Sequence, residues 1–167
     1  MIWLIRVLFL LLISYWSYEL ITQPVPWIFI DGVNLLFHEA GHVIFIPFGQ
    51  VMMVLGGSML QCLIPAFIFG YFLYTRQWYA AAFALFWLGN NFINVSVYIR
   101  DAEPRVLPLL GGDSSGHDWY WLMTNVGRLE WAVPLANMVW SVGVLCLVTA
   151  IGGYVYRMIV EYVGSYN

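Results

Sequence analysis

Charge is what this chain has least of. Nine acids and six basic residues make up only 9% of 167 positions, against roughly 25% in an ordinary soluble domain. Apolar residues reach 62% and the mean hydropathy is +0.80. That balance excludes a soluble globular protein and predicts an all-α, polytopic integral membrane protein, multi-pass in a cell or inner membrane. Lysine is missing altogether, every basic residue being arginine, so no lysine-rich patch marks a nucleic-acid partner or a polybasic lipid site. The two cysteines, Cys62 and Cys146, stand far apart in apolar runs and lack metal-ligand spacing, which excludes a cysteine metal site and argues against a disulfide. Histidine is nearly as scarce, with only His38, His42 and His117. No internal repeat or low-complexity tract is present.

The apolar runs predict about five transmembrane helices in a single membrane-embedded domain covering residues 1–167. They are Ile2 to Ile21, Trp27 to Ile46, Val51 to Tyr74, Trp78 to Ile99, and Trp131 to about Tyr156. Gln23-Pro24-Val25-Pro26 breaks the first from the second, and Pro47 with Gly49 ends the second. Five crossings with an internal N-terminus place Arg6, Arg100, Arg105 and Arg128 on one side and Arg76 and Arg157 on the other. The one long polar connection, residues 100–130, holds five of the nine acids and the third histidine.

His38-Glu39-Ala40-Gly41-His42 lies in the later half of the second run. Residues four apart share a helical face, so His38 and His42 can offer two imidazoles to one Zn²⁺, with Glu39 beside them as the base that takes a proton from water. An ionisable residue facing lipid costs ~2.5–3.5 kcal/mol on insertion scales, so these groups are expected to line a polar cavity. A catalytic zinc needs three protein ligands and an open position. The extended H-E-x-x-H-x-x-G-x-x-H pattern is excluded, because Phe45 and Phe48 stand where Gly and His are required. The third ligand must come from the long connection, which offers Asp101, Glu103, Asp113, His117, Asp118 and Glu130. His117 is preferred, since the glycines of Gly111-Gly112-Asp113-Ser114-Ser115-Gly116 allow the chain to fold back and Asp118 or Asp113 could orient the ring. Asp118, Asp101 and Asp113 remain alternative ligands. Asn91 and Asn94, three apart on the fourth helix, are candidates for positioning a substrate or for bonding between helices.

Phe37-His38-Glu39-Ala40-Gly41-His42 on a membrane helix resembles the site-2 protease family of intramembrane zinc metalloproteases, or a small divergent branch of it. The resemblance implies a zinc below the membrane surface, a polar route for water, and hydrolysis of a peptide bond within or near a membrane segment of a membrane-protein or peptide substrate. That family takes its third ligand from an Asn-x-x-Pro-x-x-x-x-Asp-Gly segment. Here Asn94 precedes Asp101 without an intervening proline, and Ala102 occupies the glycine position. The expectation is therefore a zinc metallopeptidase surrounded by membrane lipid, with other membrane subunits as further partners. The alternative is a non-catalytic subunit of a larger membrane complex whose metal is structural or absent.

Overall fold

The computed structural model describes residues 2–23, 25–109 and 116–164. Among them the helices are α1 (Ile2–Thr22), α2 (Asp31–Phe45), α3 (Gln50–Tyr74), α4 (Trp78–Arg100), α5 (Asp118–Asn125) and α6 (Ala132–Gly164), joined in part by short 3₁₀ turns at Ile46–Phe48 and Leu129–Trp131. The all-α polytopic architecture holds. Four stretches are long and apolar enough to cross a membrane: α1, α3, α4 and Leu129–Gly164. α4 lies at the centre, packed along α6 and against α3, while α2 packs on α3. Small residues allow the central contact: a Cβ on Gly89 or on Gly143 would stand 3.0 Å from the other's carbonyl oxygen. Ile13 and Leu20 of α1, Ile28, Phe86 and Ile93 of α4, and Leu147 of α6 form the main apolar core.

The expected second span is where the structure differs. α2 has 15 residues, about 22 Å at the helical rise, which is short of the ~30 Å hydrocarbon layer. Its depth is set by hydrogen bonds. Asn34, near its start, donates to Asn90 and accepts from the Trp87 indole, both at the middle of α4. His38 and His42, near its end, meet Gln61 and Met53 in the first half of α3, so the two helices run antiparallel. α2 therefore begins half-way along the bundle and runs out to the end at which α3 starts and α4 finishes. Residues 25–30 before it are not helical, and Asp31 Oδ2 ties them down by accepting from the Ile28 N–H at 2.7 Å. Non-helical backbone at this depth is tolerated where it lines a cavity, and Val25, Pro26 and Trp27 do line one.

A half-length α2 changes the sidedness. Arg6 and Arg157 both pair with Glu161, so the start of α1 and the end of α6 share one end of the bundle. The Arg157 guanidinium also lies over Trp78, which brings the α3–α4 turn and Arg76 to the same end. The expected separation of Arg6 from Arg76 and Arg157 is thus corrected, because an even number of full crossings returns the chain to its starting side.

Candidate metal centre

The two histidines of the motif face the same point, as the four-residue spacing requires. Asp118, the first residue of α5, joins them: its Oδ2 lies 3.0 Å from His38 Nε2 and 3.3 Å from His42 Nε2. These are the three residues, among those described, whose ligand atoms gather closely enough to hold one metal ion.

The other ring nitrogens decide what the gathered atoms are. His42 Nδ1 stands 2.9 Å from the Met53 carbonyl, which can only accept, so Nδ1 carries the hydrogen and Nε2 keeps its lone pair. His38 Nδ1 stands 2.7 Å from Gln61 Oε1 in the same manner, and Gln61 Nε2 in turn donates to Asn94 Oδ1. Two imidazole lone pairs and a carboxylate oxygen, all acceptors, therefore converge on one point. Such a group needs a cation between its members. Without a metal that cation is a proton. Burial pushes the Asp118 carboxyl upward, but hydrogen bonding with His38 and His42 and the positive charge shared there outweigh it and leave the carboxyl below its ordinary value. The space is also kept clear: a Cβ on Gly57 of α3 would lie 2.6 Å from His38 Nε2 and 2.7 Å from His42 Nε2. Imidazoles oriented by a glutamine and a carbonyl, with lone pairs turned toward a carboxylate, fit a divalent metal ion.

Asp118 is placed by three neighbours. Its backbone N–H donates to the Tyr98 hydroxyl of α4, the following Trp119 indole donates to Ser58 of α3, and the preceding His117 caps α5 by accepting from the Tyr120 N–H. His117 is thus not brought to the metal group, and its two nitrogens are engaged elsewhere. Nδ1 accepts from Tyr120, so Nε2 bears the hydrogen, and it faces Asp101 Oδ2 at 3.3 Å. Burial lowers the His117 pKa against the opposing pull of Asp101. The side chain brought to the histidine pair is thus Asp118, one of the alternatives, and not the preferred His117.

Asp101 itself closes α4. It accepts from the Val106 and Leu107 N–H groups as well as from His117, and it lies outside the metal group. Glu103 and Glu130 are exposed and also stand outside that group. Asp113 lies outside the described residues.

The metal group opens onto a cavity of about 690 Å³. Glu39, exposed at its wall, Asn94 and Tyr98 line it together with the histidines and Asp118. Apolar side chains from two connections, Trp27 on one side and Leu107 with Leu109 on the other, complete the walls. Of the two asparagines read as substrate-positioning, Asn94 borders this space. Asn91 does not: it is fully buried and donates to Asn34 and to the Trp87 carbonyl.

Sequence reading missed Gln61 and Tyr98 and did not connect Asp31 and Asn34 with Asn90, a set in which Asp31 Oδ1 accepts from both asparagines at 3.0 Å. Gln61 could have been found as the one amide in the otherwise apolar middle of α3. No protein-family model, curated protein or solved structure matches this chain, so what the site does is decided by the chemistry of its own residues.

Proposed function

We propose that this protein is a membrane-embedded zinc metallopeptidase that hydrolyses a peptide bond within or near a membrane segment. The observation that carries the reading is the convergence of His38 Nε2, His42 Nε2 and Asp118 Oδ2, with Glu39 at the wall of the same cavity. His38, His42 and Asp118 would hold the ion, leaving the side toward the cavity free. When bound, zinc supplies Lewis acidity to a scissile carbonyl and makes a neighbouring water acidic near neutral pH. Glu39, at the cavity wall, would accept a proton from the attacking water and pass it to the amine as the C–N bond breaks. Asn94 is held by Gln61 and borders the cavity, which suits it to hold a peptide group of the substrate. The apolar walls favour a substrate segment rich in apolar side chains. The protein's setting, a cell or inner membrane with lipid around it, follows from the same reading.

A structural metal is the competing role, and it calls for four protein ligands. The group has three among the described residues and an open side, which favours hydrolysis. The test uses purified full-length protein, elemental analysis and an apolar membrane-segment peptide. Glu39→Gln is expected to keep about one zinc per chain and to lose roughly 10²–10⁴-fold in cleavage rate. Cleavage at the parent rate would remove Glu39 from the mechanism. Undiminished zinc after His38→Ala with His42→Ala, or iron in its place, would overturn the metal assignment.

A further inference from the structure

At the end of the bundle remote from the histidines, α3, α4 and α6 leave a second cavity of about 440 Å³. Its floor is Ala81 and Ala82, whose small side chains sink the surface of α4 between its neighbours. Phe69 and Leu73 of α3 form one wall, and the α6 wall is low at Gly153. The result is an apolar trough. Trp78 and Arg157 also line it, and here the chemistry changes.

Arg6 and Arg157 share a single carboxylate, Glu161, and Arg76 stands in the adjoining α3–α4 turn. Two guanidinium groups thus face one acid, with a third arginine in the turn beside them. Arg157 is the less satisfied of the two. Its approach to Glu161 is 3.6 Å, beyond hydrogen-bond length, its Nε has no partner among the described residues, and its guanidinium lies 5.5 Å over the Trp78 ring. Aromatic side chains collect at the same level, including Trp3, Tyr79 and Tyr162. An aromatic girdle at a helix-bundle end marks the depth of lipid headgroups.

We propose that this trough binds one acyl chain of an anionic glycerophospholipid, with the lipid phosphate against Arg157. An alkyl chain matches the alanine floor and the low glycine wall, and a phosphodiester supplies acceptor oxygens for the terminal N–H groups of the partly exposed guanidinium, whose Nε is buried. A second copy of the chain is a poorer occupant, because it would bring its own arginine cluster against this one, and like charges oppose such a contact. The site is separate from the metal centre and does not depend on what that centre does.

The experiment uses the full chain in non-ionic detergent, with phosphatidylglycerol and phosphatidylcholine of identical acyl chains, read by native mass spectrometry and by thermal unfolding. The expected result is roughly fivefold tighter retention of phosphatidylglycerol, the preference that one basic residue at a membrane surface provides. Arg157→Gln should reduce that lipid to the level of phosphatidylcholine. Gly153→Leu, at a position where an added Cβ meets nothing within 4 Å, should fill the trough and weaken both lipids while the arginines remain. Equal binding of the two lipids by the parent protein would overturn the proposal, and that comparison needs no variant to fold. A preference that survives Arg157→Gln would also overturn it, as would full stabilisation by inorganic phosphate alone or a trough closed by dimerisation without lipid.

Discussion

At the scale of single residues, neighbours in sequence divide the labour of the site. Asp118 reaches the histidine pair, while His117 turns to Asp101 and caps α5. On the proposed assignment Asp118→Ala removes a ligand, whereas His117→Ala removes only a support for the helix that presents it. Competition with a chromophoric chelator should therefore show a larger loss of zinc affinity for Asp118→Ala than for His117→Ala. The reverse order would restore His117 as the ligand. Gln61→Leu belongs to the same series. It leaves all three ligands in place but frees the His38 ring, and the loss expected for such an outer partner is about 10–100-fold in affinity.

At the scale of elements, the metal site depends on how closely α2 can approach α3. A Cβ on Gly41 would collide with the Gly56 backbone, and one on Gly56 would lie 2.7 Å from the Gly41 carbonyl oxygen. Backbone contact of this kind replaces the hydrophobic drive that helices lack in lipid. Gly41→Ala should separate the helices and lower thermal stability. Gly57→Ala tests something different, because its Cβ would meet the ring ends of His38 and His42, which can turn aside. Circular dichroism should then show parent helicity while metal content falls. Parent zinc content in Gly57→Ala would mean that the ion lies away from the histidine Nε2 atoms.

At the scale of the whole molecule, four full crossings and a half-length α2 make the arrangement of ends testable. In a background with Cys62→Ser and Cys146→Ser, cysteines can be introduced by Ile2→Cys, Val163→Cys and Asn125→Cys, all at exposed positions. A membrane-impermeant maleimide on sealed vesicles should label Ile2→Cys and Val163→Cys from one side and Asn125→Cys from the other. Labelling of Ile2→Cys together with Asn125→Cys would require a fifth crossing. The metal group, near the end where α4 closes and α5 begins, would then have its water supply on the side of Asn125.

Properties written in local order were legible from sequence alone. Apolar runs of membrane length marked α1, α3, α4 and most of α6, because each must satisfy its own backbone bonds in lipid. The four-residue spacing of His38 and His42 put both on one face for the same local reason. What the run from Trp27 to Ile46 could not disclose was its depth, since an apolar stretch reads alike whether it crosses the layer or starts at its middle. That was decided by Asn34, which finds Asn90 and Trp87 more than 50 residues away. Nor could sequence separate His117 from Asp118. The start of α5 sends adjacent side chains in different directions, and only the packed positions of Asp101, Tyr98 and Ser58 settle which one meets the pair. Gln61, Met53 and Gly57 acquire their roles in the same way, through an antiparallel contact between α2 and α3 that exists only once the helices are docked.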